Sequence, residues 1–182
     1  EDVRDFLSRY PNTLLAGQLR ADWLKVLGKS GRWDVFKAEY PALSVDDPDV
    51  TCYMLLSLWN REDASVTTDF KAFWMAPREL PEGCATLARA MLKAGRLDAR
   101  EVWTRFRVLV NAGVLGAARR SMEFLPRGET IEAQRLNAVL RGPTRFLRNP
   151  QVNLFKAADR ELLIAALNLA ADDDPRVAAG FW

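Results

Sequence analysis

Two cysteines, Cys52 and Cys84, are the only thiols in a chain of 182 residues that contains no histidine. The missing imidazole excludes Ser/His/Asp and Cys/His nucleophiles, the residue most used for general acid–base chemistry, and most transition-metal sites. Two cysteines without histidine cannot build a structural zinc site either. What remains to the pair is to close a disulfide or to stand as two buried thiols. Their positions at the starts of two predicted helices let both point into one seam, and on spacing alone both outcomes stay open.

Carboxyl chemistry is no better marked. Cleaving a glycosidic bond needs carboxyl groups in unlike environments. The 24 acids offer accidental pairs, such as Asp98 with Glu101 or Glu123 with Glu129, and none stands in a distinctive motif. Acids at helix starts ordinarily serve as caps or dipole partners. There is no phosphate-binding glycine loop and no nucleophile elbow. The sequence therefore assigns no catalytic residue, no metal site and no cofactor.

Charge is more informative. The net +2 hides an acidic first half, with 10 basic and 14 acidic side chains over residues 1–88, and a basic middle, with 13 basic and 5 acidic over residues 89–148. Such a segment implies either an anionic partner or the solvated outer faces of Arg-rich helices. Its aromatics, in Trp103-Thr104-Arg105-Phe106-Arg107 and Arg145-Phe146-Leu147-Arg148, resemble a stacking platform for nucleic acid. They fall on the apolar helical stripe, however, which makes them core, and the acidic first half argues against a nucleic-acid partner.

The elements that must carry these residues are helices. Leu15, Leu19, Trp23 and Val26 recur at helical spacing and predict an inward stripe, and Gly28 to Gly31 breaks that helix. Trp33, Phe36 and Tyr40 continue the pattern until Pro41. Asp47-Pro48 is a helix start with a capping acid, followed by Val50, Tyr53, Leu55 and Leu58. Further helices are expected from about Ser65 to Met75, through Leu87 to Gly95, from an Asp98 cap to Gly113, from Leu115 to Leu125 before Pro126, and from Ile131 to Leu140. The sequence also predicts a helix from Pro150 through Phe155, a long one capped by Asp159, and one opened by Asp174-Pro175 and cut off at Trp182. No stretch alternates with period two between hairpin turns, so a β-sheet is not expected.

Repetition sets the architecture. Phe6-Leu7-Ser8-Arg9-Tyr10-Pro11 returns as Phe36-Lys37-Ala38-Glu39-Tyr40-Pro41, and Lys29-Ser30-Gly31-Arg32 returns as Lys93-Ala94-Gly95-Arg96. Intervals of this size mark helical-hairpin repeats. The expectation is one all-α domain over residues 1–182, a right-handed superhelix or solenoid of antiparallel α-helical hairpins with roughly ten helices. Its apolar last residues make a poor terminus for a solenoid and suggest a piece of a longer helical protein. No run is long enough to span a membrane, and no leader peptide is apparent.

The phrases Tyr10-Pro11-Asn12-Thr13, Leu19-Arg20-Ala21-Asp22-Trp23-Leu24 and Gly31-Arg32-Trp33-Asp34-Val35-Phe36 resemble the N-terminal helical region of soluble lytic murein transglycosylases. So do Thr51-Cys52-Tyr53-Met54, Phe73-Trp74, Leu80-Pro81-Glu82-Gly83-Cys84, Ala94-Gly95-Arg96-Leu97, and Asp98 through Arg107 in that order. The resemblance implies a superhelix of hairpins forming part of a ring, a periplasmic location, and a disulfide between Cys52 and Cys84. The family's catalytic Glu-Ser dipeptide and its Gly-Leu-Met-Gln phrase are both absent from this sequence, so the chain is expected to be inactive by itself.

By that likeness the chain is a scaffold segment of an enzyme that cleaves the bond between N-acetylmuramic acid and N-acetylglucosamine in peptidoglycan to a 1,6-anhydro product. Its expected partners are peptidoglycan and a catalytic domain on the same polypeptide. Arg89, Arg96, Arg100, Arg105, Arg107, Arg119 and Arg120 are the candidate surface for an anionic ligand, because guanidinium groups engage carboxylates bidentately. The alternative is a helical-repeat module that binds a partner protein and has no connection to the cell wall.

Overall fold

The structure is a computed structural model that describes residues 3–11, 13–60 and 65–181. Asn12 and Trp182, which the sequence reading used, lie outside the described residues. The described residues form α-helices and short 3-10 turns and no β-strand. The expected all-α class is what is observed, with 10 helices of 7 residues or longer among the 12 described.

Contacts divide the chain into two compact units, Glu1–Trp74 with Leu80–Arg96, and Met75–Glu79 with Leu97–Trp182. The first unit holds α1 (Val3–Arg9), α2 (Leu14–Lys29), α3 (Trp33–Glu39), α4 (Pro48–Trp59), α5 (Val66–Trp74) and α6 (Glu82–Lys93). The second holds α7 (Ala99–Asn111), α8 (Leu115–Ser121), α9 (Ala133–Arg141), α10 (Pro143–Leu147), α11 (Ala157–Asp173) and α12 (Pro175–Ala179). Within the first unit α4 packs on α2, α5 and α6; within the second α11 packs on α7, α9, α10 and α12.

Local signals fix most boundaries. Asp47 Oδ1 accepts the N–H groups of Asp49 and Val50 at 2.9 and 3.2 Å, satisfying two of the donors a helix start leaves open. Asp98 and Glu101 form a reciprocal capping box at the start of α7. Helices α2, α6 and α7 end alike. Gly31, Gly95 and Gly113 sit at φ of 68°, 67° and 71°, and the next residue's N–H reaches back to Leu27, Met91 and Leu109 O at 2.8–2.9 Å. That shared ending is the physical content of the repeated Gly-Arg phrase.

The buried face of α2 differs from the expected stripe. Leu15 and Val26 are 61% and 63% exposed, and the interior takes Ala16, Gly17, Arg20, Ala21, Leu24, Leu27 and Gly28 instead. Close approach decides this: a β-carbon on Gly28 would lie 2.5 Å from Tyr53 Cγ, and one on Gly17 would lie 2.7 Å from Ser44 Oγ. Small side chains turn inward where a neighbouring chain comes closest. Arg20 is buried with them because Glu39 Oε2 meets it at 2.6 Å.

The second unit departs from expectation in three places. Helix α8 stops at Ser121 and gives way to a 3-10 turn over Met122–Phe124 before Pro126. The chain between Pro150 and Phe155 is not helical, and the short helix lies earlier, at α10. Asp159 lies inside the first turn of α11 rather than capping it.

Candidate functional site

Cys52 on α4 and Cys84 on α6 are joined by a disulfide, with their Cα atoms 4.8 Å apart. Both sulfurs are fully buried. One turn earlier on α4, Asp49 Oδ1 accepts the Gly83 N–H at 2.6 Å, so an acid of one helix completes the start of another. Tyr53 fills the space between them: β-carbons on Gly28 and Gly83 would fall 2.5 and 2.9 Å from its ring. Burial, with Asp49 and Glu82 nearby, pushes the Tyr53 hydroxyl up to about 12. Burial also raises the Asp49 carboxyl, despite the Gly83 N–H that favours its ionised form. This cluster binds helices together; it presents no nucleophile and no open acid to solvent.

The seven candidate arginines have different fates. Arg89 on α6 and Arg96 in the following turn are exposed, and both belong to the first unit. Arg100, at the start of α7, is exposed and curls back on Asp98 Oδ2 at 2.9–3.0 Å. Arg119 and Arg120 are exposed on α8; Arg119 Nη2 donates to Asn137 Oδ1 at 2.6 Å, and Arg120 grips both oxygens of Glu79, with Nε at 2.7 Å from Oε1.

Arg105 and Arg107 are not free surface cations. Arg105 is 1% exposed, and its guanidinium donates to Ala76 O at 3.3 Å and Arg78 O at 2.9 Å. Its place is the interior of the second unit, where it ties α7 to the Met75–Glu79 segment and cannot meet a ligand. Desolvation pulls its pKa down to about 10, with Glu79 opposing. Arg107 is half-buried, its Nη1 2.7 Å from Glu161 Oε1. Of the seven, Arg89, Arg96, Arg100, Arg119 and Arg120 keep exposed positions.

In the second unit Glu161 carries no sequence signal, and Asp159, expected to cap α11, is instead buried among partners. Glu161 on α11 is buried, and its Oε2 makes no hydrogen bond among the described residues. Burial raises its carboxyl, and Arg107 only partly offsets this. Asp159 is buried against Arg135, which ion-pairs with its Oδ1, and Asn153 N–H, which donates to its Oδ2 at 2.6 Å. Burial alone would raise that carboxyl, yet these donors hold it below the usual range. No sequence motif marks Glu161 or the partners of Asp159, because each pairing spans residues far apart in the chain or across an irregular loop. The accidental pair Asp98 and Glu101 is the α7 capping box, and Glu123 is exposed.

Among the described residues, no group of three or more Cys, Asp or Glu is placed to hold a metal ion, and no helix is long and apolar enough to cross a membrane.

One comparison bears on this geometry. Superposed on the solved structure of an inactive mutant of the lytic transglycosylase Slt from Pseudomonas aeruginosa, the chain matches with a TM-score of 0.65 over 98% of its length. The fold is lytic transglycosylase-like. Sequence identity is 21%, and the match covers 29% of the Slt chain. No family model and no curated protein sequence matches the chain.

Proposed function

We propose that this chain is a non-catalytic helical scaffold segment of a periplasmic lytic murein transglycosylase. In this reading it positions a catalytic domain on the same polypeptide and holds peptidoglycan against cationic surface. The observation that carries the reading is the fold shared with Slt along nearly the whole chain. The ordered sequence phrases and the buried Cys52–Cys84 bridge, which suits an oxidising compartment, add to it. The parent would cleave the bond between N-acetylmuramic acid and N-acetylglucosamine and leave a 1,6-anhydro end. These 182 residues would supply none of the acid–base chemistry.

The reading frame of the gene beyond codon 182 is the direct test. A Glu-Ser dipeptide followed by Gly-Leu-Met-Gln is expected, together with release of 1,6-anhydro muropeptides from sacculi by the full product and none by this chain alone. A frame without those strings, or glycan cleavage by the 182 residues themselves, would overturn the proposal.

A further inference from the structure

The stretch from Asn149 to Lys156 is a loop held from several sides. Arg135 Nη2 donates to Gln151 O at 2.7 Å, Asp159 Oδ2 accepts the Asn153 N–H at 2.6 Å, and Arg160 Nη1 donates to Leu154 O at 2.8 Å. Inside the loop, Asn153 Oδ1 accepts the Phe155 N–H at 3.0 Å and Asn153 O accepts the Lys156 N–H at 2.9 Å. The groups that clamp it are themselves fixed, since Asp159 is buried and ion-paired with Arg135.

What the clamp presents is an aromatic ring in water. Phe155 is 96% exposed, and Leu154 beside it is 57% exposed. Burying a phenyl ring is among the larger favourable contributions a side chain makes to folding. Here a buried ion pair and four side-chain-to-backbone hydrogen bonds fix the loop with that ring outside. A fixed loop loses little conformational entropy on binding, which is the property a recognition loop needs.

The chain around the loop carries positive charge, while the cavity beside Lys156 is of mixed charge. Between residues 141 and 160 the exposed ionisable side chains are Arg141, Arg145, Arg148, Lys156 and Arg160, all cationic, while Asp159 is buried. Next along the chain, Lys156 lines a cavity of about 320 Å³ together with Glu129, Thr130, Glu132, Arg135 and Asp159, so the cavity itself carries three carboxylates and two cations. That volume lies at the small end of ligand sites. Its lining of hydroxyl, carboxylate and cation, with the amides of Asn149 and Gln151 on the loop, offers hydrogen bonds in both directions. An acyl layer would leave those groups desolvated and unpaired, whereas a polar, anionic polymer with flat apolar faces would use them.

We infer that the Phe155 loop and the cavity at Lys156 form a saccharide subsite for an anionic glycan. The phenyl ring stacks on the apolar face of one sugar. A neutral hydroxyl or amide substituent of that sugar enters the cavity, and Lys156 and Arg148 meet carboxylates carried elsewhere on the same polymer. The inference rests on the peptidoglycan reading above and names where on the chain the polymer binds.

Co-sedimentation of the whole chain with purified insoluble peptidoglycan tests it, using Phe155→Ala, Phe155→Leu and Phe155→Trp. Because the ring is 96% exposed, all three variants should unfold at the temperature of the unmodified chain. Phe155→Ala and Phe155→Leu should each bind about five- to tenfold more weakly, and Phe155→Trp should bind at least as well as the unmodified chain. Equal binding by Phe155→Ala overturns the subsite, as does full binding by Phe155→Leu, which keeps apolar surface without a flat face. No sedimentation of the unmodified chain, or Phe155-dependent binding to phosphatidylglycerol vesicles instead, overturns it too. The scaffold reading is judged separately, by the reading frame and its product.

Discussion

Gly28 and Tyr53 stand so close that a β-carbon on the glycine would lie 2.5 Å from the ring's Cγ and 2.6 Å from Cδ1. Helix α2 meets α4 at that contact, and α6 meets α4 on the far side of the same ring, where Gly83 faces Tyr53 and Asp49. The tyrosine is thus held between two glycines of different helices. The disulfide and the Asp49 to Gly83 hydrogen bond secure the second contact.

Gly28→Ala should therefore destabilise the first unit by about 1–3 kcal/mol, the usual range for overpacking. Gly95→Ala is the control, because nothing lies within 4 Å of its missing β-carbon and only its φ of +67° is unfavourable; it should cost about 1–2 kcal/mol. The two are separated by a second change: Tyr53→Leu should relieve Gly28→Ala and leave the effect of Gly95→Ala intact. Urea denaturation of the four proteins and the double variants checks this.

Replacing Cys52 and Cys84 by serine or reducing them removes a cross-link spanning 32 residues. The chain-entropy relation gives a loss of about 3–4 kcal/mol for a loop of that length. Both sulfurs are buried, so the folded protein should resist thiol labelling after brief treatment with reductant and label fully once urea opens the first unit. Rapid labelling without denaturant would show that the bridge is reached from outside.

Much of this architecture is legible in the sequence, and its failures share a cause. Asp47, Asp98 and the glycines after α2, α6 and α7 act through neighbours in the chain, so their roles survive translation into structure. Leu15 and Val26 were expected inside because hydropathy ranks leucine and valine above glycine and alanine. The α2 interface was decided by how near Tyr53 comes to Gly28, a distance no single helix encodes. The segment from Pro150 to Phe155 carries helical spacing, yet Asp159, Arg135 and Arg160 take the backbone groups a helix would have paired internally. Arg105 looked like a surface cation because arginine usually is one; its burial depends on two carbonyls more than 25 residues upstream.

That burial makes a prediction about charge. Arg105→Ala should destabilise the second unit by about 2–4 kcal/mol, since Ala76 O and Arg78 O lose the donor that reaches both. Arg105→Lys should restore little, because a single ammonium cannot reproduce a fork between two carbonyls. Arg119→Ala, at an exposed position, should shift stability by less than about 0.5 kcal/mol. A thermal unfolding series distinguishes these outcomes, and equal effects at positions 105 and 119 would remove Arg105 from the interior.

Glu161 and Asp159 should pull stability in opposite directions with pH. The native state holds the Glu161 proton more tightly than the unfolded chain does, because burial raises that carboxyl and Arg107 only partly compensates. Its contribution is therefore fully present below the ordinary glutamate value and lost as pH rises through the raised native one. Asp159 is held low by the Asn153 N–H and Arg135 against its own burial. Its contribution is present above the ordinary aspartate value and lost as pH falls through the depressed one. Glu161→Gln should remove a decline in stability above about pH 4.5, and Asp159→Asn should remove a loss below about pH 4 while lowering stability at neutrality. Urea midpoints from about pH 3 to 8 measure both slopes. The same sign of change in the two variants would contradict the placement of Glu161 beside an incompletely compensating arginine.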